Sequence, residues 1–285
     1  MTPVTLLSLT LVPCAIAADA LLFGEWRWKS ATRKLRAALE AARRPPLARF
    51  FDSRELENLP SPVRRYFLAV LPPRQRMITA VSLVQTGTFN LSETSAQWKP
   101  FTATQRVVTP RPGFDWDARI AMFAGLWVRV HDAYVAGEGR LHAAVYGLIS
   151  KANLRDTGEL ARGELMRFFM EAPWYPTALL PSQGVVWTAV DEHSANATLR
   201  DGGHAITLLF HFDAAGLIDA ARAGARGRIA NGKAESLPWQ GRFWNYAVRD
   251  GLRVPLEAEV EWLTPAGAKP YCRVLLTTVT YEFAR

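Results

Sequence analysis

From Val81 to the end of the chain, apolar and polar side chains alternate with a period of two instead of the period of a helix. Phe114 to Ile120 and Val254 to Trp262 show this alternation most clearly. Successive side chains of a strand point to opposite faces, so each stretch predicts a strand with one buried face. Turn residues recur between such stretches, at 111–113, 137–139, 215–216, 250–251 and 265–267. Short alternating strands separated by turns are typical of an antiparallel meander or a barrel.

Three segments have helical character. The first runs from Ser30, which can cap it, to Ala42, before two prolines. The second has Ser61 as its cap and Pro62 in its first turn, and it ends before Pro72. The third, residues 163–171, lies among the strands and ends at Pro173. The expected fold class is therefore α+β and mostly β: a curled antiparallel sheet, an open or half barrel, with one internal helix, preceded by N-terminal helices. The inner face of such a sheet is too long for one helix to fill, so a second layer closes it or a cavity remains.

Charge and hydropathy change abruptly near the N-terminus. Residues 3–24 contain a single charged side chain, Asp19, whereas residues 25–49 contain eight basic and two acidic ones, 8 − 2 = +6 of the chain's net +8. We call residues 25–49 the basic collar. The expected organisation is an anchor or signal segment at 1–24, the basic collar and two helices within 25–75, and an antiparallel half-barrel domain at 76–285.

The apolar segment has three interpretations. At 22 residues, 3–24 is long enough for a membrane-spanning helix. The small residues ending at Ala17 instead resemble a signal-peptide cleavage site. A lipoprotein signal would use Cys14. The excess of basic residues after an anchor places the domain on the cytoplasmic face of a bacterial cell membrane, whereas cleavage near Ala17 would mean export.

The basic collar explains most of the high isoelectric point, so no nucleic-acid partner is expected. The expected partners are membrane lipid, through the N-terminal segment and the basic collar, and a hydrophobic small molecule. The oligomeric state stays open. Cys14 and Cys272 do not predict a disulfide. No cofactor or metal is expected, because the histidines lack metal-ligand spacing and no phosphate-binding loop or nucleophile motif occurs.

Acidic residues on two strands could serve catalysis or cation binding. Glu257, Glu259 and Glu261 share one strand face, where the simpler interpretation is a solvated surface paired with Arg242 or Arg273. Asp115 and Asp117 flank Trp116, and a solvated polar strand face explains them equally well. His131 and Asp132 are sequence neighbours and point to opposite faces. No catalytic residues are therefore assigned.

Aromatic side chains are the strongest remaining signal. On the concave face of a curled sheet they could line a site for an apolar ligand, or they could simply form the core. Around Trp174 to Pro176, the apolar sequence suggests a loop at the rim of the sheet, acting as a lid or a membrane contact. The candidate ligand-binding residues are Phe114, Trp116, Tyr134, Trp174, Tyr175, Trp187, Phe210 and Trp262.

Several short motifs resemble an uncharacterised bacterial family, a domain of unknown function, over about residues 59–281. They include Leu59-Pro60-Ser61-Pro62-Val63 with Arg65-Tyr66, and the stretch from Glu171 to Pro181. This resemblance implies no activity and no catalytic residue. The order of strands and helix is also similar to the lipoprotein-carrier (Lol-type) superfamily, whose members look like an unclosed antiparallel barrel over a concavity that holds acyl chains. Those carriers are exported, whereas the charge pattern here favours the cytoplasmic side.

Three functional hypotheses follow. The first is a membrane-tethered module that binds a lipid or other hydrophobic ligand in an aromatic-lined half-barrel. The second is a non-catalytic interaction or structural domain at the membrane. The third is an enzyme acting on a membrane-derived substrate, with candidate groups Asp115, Asp117, Glu138, Glu171, or His131 with Tyr134.

Overall fold

A computed structural model describes residues 3–92, 94–123, 125–230 and 233–285, with the backbone alone for 3–14, 229–230 and 233–234. Within these residues there are three α-helices: α1 (Pro3–Ala41), α2 (Ser61–Val70) and α3 (Glu159–Met170). Short 3-10 helices cover Ser53–Leu56, Ala172–Trp174, Pro176–Leu179 and Pro181–Gln183. The strands are β1 (Ile78–Asn90), β2 (Trp98–Val108), β3 (Gly113–Phe123), β4 (Leu126–Val135), β5 (Glu138–Val145), β6 (Ile149–Asp156), β7 (Val186–Ala189), β8 (Ser194–Asp201), β9 (His204–Phe212), β10 (Ile218–Ala230), β11 (Lys233–Arg249), β12 (Leu252–Thr264) and β13 (Gly267–Phe283).

The thirteen strands of the described residues form one antiparallel sheet, in the order β6-β5-β4-β3-β2-β1-β13-β12-β11-β10-β9-β8-β7. The first and last strands, β1 and β13, pair at the centre of the sheet, with Leu83 opposite Val279. The sheet therefore has two wings, β1–β6 and β7–β13, each built from sequential antiparallel strands. The mostly-β fold class with one internal helix and N-terminal helices, predicted from the period-two pattern, is confirmed.

Helix α3 lies inside the curl of the sheet. It contacts β3 to β6 of one wing and β9 and β10 of the other. The wings also meet at two turns, where the Tyr134 hydroxyl donates to Asp201 at 2.8 Å. Gly202, in the same turn, has φ of +57°, and a Cβ there would lie 2.6 Å from the Cα of Gly137. This close approach of two backbones requires glycine. The sheet thus curls around α3 with β6 and β7 at its two edges.

The segment after α3 belongs to the core, so the prediction of a rim lid or membrane contact at Trp174 to Pro176 is wrong. Trp174, Tyr175 and Pro176 are all buried. The Trp174 indole donates to the carbonyl of Pro255 at 3.0 Å, and the Tyr175 hydroxyl donates to the carbonyl of Phe168 at 2.6 Å. Because the 3-10 turns and these side-chain bonds satisfy the polar groups, the apolar segment can be buried against the concave face.

Helix α1 is continuous from Pro3 to Ala41, so Ser30 lies inside it and is not its N-cap. Its second half covers the convex face of β2, β3 and β4. Trp28, Leu35 and Leu39 are buried there. Helix α2 ends before Pro72 as predicted, but its cap is Pro60 and Ser61 is its first helical residue, so the prediction of Ser61 as the cap is wrong.

The carboxylates Asp115 and Asp117 lie under α1, which corrects the prediction of a solvated strand face. Arg36 pairs with Asp115 at 2.8 Å, yet burial dominates and raises the pKa of Asp115. Burial also opposes the ionisation of Asp117, but hydrogen bonds from His131 and Trp28 and the charge of Arg129 outweigh it and lower the pKa of Asp117. Period-two alternation could not distinguish a solvated face from one that a helix covers.

Some side chains of the basic collar bind residues of the sheet. Arg27 donates to the carbonyls of Gly147 and Leu148, both at 3.1 Å. Arg36 binds Asp115, and Arg43 binds Glu282 at 3.0 Å. At least these three of the eight basic side chains therefore help to hold α1 against the sheet.

The sequence predicts a membrane-spanning helix at residues 3–24, whereas no helix in the described part of the chain is both long and apolar enough to cross a membrane. Residues 1 and 2 and the side chains of 3–14, including Cys14, lie outside the described part.

Candidate ligand cavity

An inner chamber of about 360 Å³ lies between the concave face and α3. Even-numbered residues of β3 and β4 and odd-numbered residues of β11 face it, since strand side chains alternate. Most of the lining is apolar, from Ile120 and Val130 on one wing to Phe243 and Val260 on the other. Within the curl, α3 and Trp174 fill only part of the concave face, so an apolar space remains above them.

A wider mouth of about 1500 Å³ adjoins the chamber. Six residues line both spaces: Phe89, Leu91, Asp132, Leu141, Arg226 and Tyr271. The mouth is framed by the β1–β2, β10–β11 and β12–β13 hairpins, by β6 and by the first turn of α3. The chamber therefore lies directly behind the mouth.

A chain of buried hydrogen bonds crosses one wall of the chamber. On α3, Arg167 binds Asp132 of β4 and, at 2.8 Å, Glu171 one turn along. Glu171 accepts a hydrogen bond from Gln105 at 2.6 Å. Gln105 in turn accepts from Gln85, whose amide oxygen accepts from the Trp116 indole at 2.9 Å. Each member depends on its neighbours, because an unpaired polar group at this depth would be costly.

A second ion pair adjoins the first on α3. Arg226 of β10 donates to Glu164 of α3 at 3.3 Å and lies over the Trp239 ring at 4.2 Å. Burial and the nearby charge of Asp132 raise the pKa of Glu164 well above its usual range. Oε2 of Glu164 is buried without a partner among the described residues. The raised pKa favours the protonated, neutral form of Glu164, so this carboxyl adds no second negative charge beside Asp132.

The raised pKa of Glu164 makes stability depend on pH. The folded protein holds this proton, while the unfolded chain releases it above the ordinary pKa of 4.5. The stabilisation is therefore complete below that pKa and is lost as pH rises towards the folded pKa, at up to about 1.4 kcal/mol per pH unit. Urea unfolding as a function of pH should show a smaller decline for Glu164→Gln than for the parent chain. An unchanged pH slope in Glu164→Gln would contradict a proton held by Glu164 in the folded protein.

The predicted ligand-binding residues divide into two sets. Trp116 and Trp174 line the chamber and Trp262 lines the mouth. The others pack in the core away from the cavity lining; the Trp187 indole, for example, donates to the Leu179 carbonyl at 2.9 Å. The residues of this second set are Phe114, Tyr134, Tyr175, Trp187 and Phe210.

The cavity also contains charged residues that the sequence analysis did not select: Asp132, Glu164, Arg167 and Arg226. In the otherwise apolar segment 163–171, three charged residues are spaced three and four positions apart: Glu164, Arg167 and Glu171. That spacing puts them on one helix face and was an available signal. No local sequence pattern indicated Arg226, because its partner Glu164 lies 62 positions away in the chain.

The enzyme candidates are not assembled in the cavity. Asp115, Asp117 and His131 lie under α1, and Thr32 of that helix contacts His131 at 2.7 Å. Glu138 pairs with Arg140 and Arg155 on β5 and β6. Among the candidates within the described residues, Glu171 alone lines the chamber.

The β12 glutamates mostly follow the surface interpretation. Glu259 pairs with Arg273 at 2.8 Å, as predicted. Glu261 is instead buried, which corrects its assignment to a solvated face; it accepts a hydrogen bond from Gln240 at 2.9 Å. The β11–β12 pairing is regular here, so Glu261 stays on the outer face, beside Gln240, while Val260 faces the chamber.

Comparison with known proteins gives weak structural likenesses. The LolA superfamily protein NE2245 from Nitrosomonas europaea is 11% identical, with 78% of this chain and 92% of that chain covered and a TM-score of 0.39. A porin-like protein from Bacteroides uniformis ATCC 8492 is 7% identical, with 72% and 97% covered and a TM-score of 0.22. At these TM-scores neither likeness indicates a function for this chain. No curated protein matches it.

The family predicted from the short motifs is confirmed. The matching family model covers residues 57–281, which is most of the chain and includes α2, α3 and almost the whole sheet. The chain belongs to the family of unknown function DUF6920.

Proposed function

We propose that this protein binds the apolar part of a lipid or similar amphiphile in the inner chamber, at a bacterial membrane to which its N-terminal segment attaches it. The observation that carries the proposal is a pair of adjoining cavities: an apolar chamber of about 360 Å³ behind a mouth of about 1500 Å³. Small-molecule sites typically occupy about 300–1,000 Å³ and are mostly apolar with a few polar groups. The chamber fits this description.

The arrangement of polarity supports an amphiphile over a purely apolar ligand. Asp132 and Arg226 lie where the chamber joins the mouth, while the opposite chamber wall is aliphatic and aromatic. An apolar tail in the chamber would displace weakly held water, which favours binding by about 0.8 kcal/mol for each methylene group buried. A polar head would then remain beside the ion pairs at the mouth.

Membrane attachment and the cytoplasmic side are proposals from the sequence. Their support is the apolar character of residues 3–24 and the basic collar that follows. Lys29 and Arg33, the exposed basic collar residues nearest the apolar segment after Arg27, would contact anionic headgroups.

A substitution that fills the chamber tests the binding site. Val130 lines the chamber, and Val84 lies on the outer face of β1. We expect Val130→Trp to weaken binding of the apolar probe N-phenyl-naphthylamine at least about tenfold, since excluding two methylene-sized groups costs about 1.6 kcal/mol. Fluorescence titration of the full chain, with competition by dodecanoic acid, measures the affinity.

Val84→Trp is the matched control, because it adds the same side chain outside the cavity. It should bind the probe like the parent chain. Equal affinities for Val130→Trp and Val84→Trp would place the probe elsewhere and contradict the proposed site.

A further inference from the structure

One end of the sheet carries both the cavity mouth and the free half of α1. This end, which we call the mouth end, has the turns that follow Asn90, Phe123 and Val145. Neighbouring strands are about 4.8 Å apart, so these three turns lie side by side. The β10–β11 and β12–β13 turns belong to the same end, and both hairpins frame the mouth.

Helix α1 runs along the convex face and leaves the sheet at the mouth end. Its Leu39 packs against Gly113 at the opposite end of β3. Its Gly24 lies against Tyr146 and Leu148 in the β5–β6 turn. Residues 15–23, which precede Gly24, are all exposed. They therefore project beyond the mouth end of the sheet.

The projecting part of α1 is apolar apart from Asp19. Its exposed large apolar side chains point in several directions around the helix axis: Ile16, Leu21, Leu22 and Phe23. Such a helix favours an apolar medium around it, whereas a docked protein chain would cover one side. A lipid bilayer is such a medium.

The sheet turns at the mouth end continue this apolar surface. Phe123 is 70% exposed, Ile149 60% and Leu91 41%, one in each of the three neighbouring turns. Arg119 lies over the Trp127 ring at 3.9 Å beside Phe123. Arg119 and Lys151 are exposed near these turns, whereas Arg129 pairs with Glu25 and Arg155 pairs with Glu138. Exposed apolar and aromatic side chains among basic ones suit an anionic membrane surface.

We propose that the mouth end, through Leu91, Phe123, Ile149 and the projecting part of α1, lies against an anionic lipid bilayer, so that the cavity opens towards the membrane. The role of the mouth in ligand uptake rests on the proposed function; the contact with the bilayer does not. In this orientation an amphiphile reaches the chamber from the bilayer without its tail crossing water.

Site-specific labels test the orientation in the full chain. Cys14→Ser removes one thiol, and Cys272 is buried with its pKa raised to about 12 by that burial, which makes it unreactive. A polarity-sensitive fluorophore is then attached at Phe123→Cys, Ile149→Cys or Val248→Cys. Val248 is 63% exposed and lies near the β11–β12 turn, at the opposite end of the sheet.

Vesicles of phosphatidylethanolamine and phosphatidylglycerol carry a nitroxide-labelled phospholipid as quencher. We expect quenching at positions 123 and 149 to be several-fold stronger than at position 248, with a blue shift at the first two only. Equal quenching at all three positions, quenching at 248 alone, or failure of the chain to bind the vesicles would overturn the orientation. Probe binding without vesicles reports separately on the cavity, so failure of the orientation and failure of the proposed function are distinguishable.

Discussion

Replacing Arg167 by Met is expected to lower the free energy of unfolding by about 3–5 kcal/mol, which is the usual cost of removing one partner from a buried ion pair. Arg167 is the shared partner of Asp132 and Glu171, and all three side chains are largely buried. Without the guanidinium, two carboxylates would face each other across a low-dielectric space. Urea or thermal unfolding measures the loss.

Two further variants separate the buried charge from simple truncation. Arg273→Met removes the exposed partner of Glu259 and should cost less than about 1 kcal/mol. Adding Asp132→Asn and Glu171→Gln to Arg167→Met removes the uncompensated charges and should recover part of the loss. If Arg167→Met proved as mild as Arg273→Met, the buried network would not hold α3 in the curl.

Trp174→Ala is the second large change, with an expected cost of about 3–5 kcal/mol. Its indole is buried beside Phe243, and the Tyr281 hydroxyl donates to the Trp174 carbonyl at 2.8 Å. Truncation leaves a void beside Phe243 and an unmet acceptor at Pro255. Denaturant unfolding measures the cost.

Trp244→Ala is the control for Trp174→Ala, because Trp244 is exposed on the neighbouring strand and bonds only to the surface residue Glu257 among the described hydrogen bonds. It should change stability by less than about 0.5 kcal/mol. Similar costs at positions 174 and 244 would mean that the segment after α3 is not part of the core.

The local pattern of the sequence was enough to predict the strands, α2 and the internal helix. Alternation from Phe114 to Ile120 and from Val254 to Trp262 reports directly on which side chains share a face. The open curl followed from a sheet too long for one helix to fill. The apolar segment at Trp174 was misplaced, because composition does not tell a buried turn from an exposed lid.

The rest of the site depends on contacts between distant parts of the chain. Arg226 and Glu164 meet only because α3 lies between the wings, and no local pattern encodes that pairing. The packing of α1 over Asp115 and Asp117 could likewise not be predicted from β3. Its apolar and polar side chains alternate in the same way whether a helix or water covers the polar face. Long-range packing, not local propensity, assembles the cavity.

Native mass spectrometry of the full chain, with lipid extraction from the same sample, tests the central claim most directly. The cavity account predicts about one amphiphile per chain after gentle purification, and its loss in Val130→Trp but not in Val84→Trp. A ligand-free mass for the parent chain, together with no uptake of added dodecanoic acid, would contradict a ligand-binding chamber.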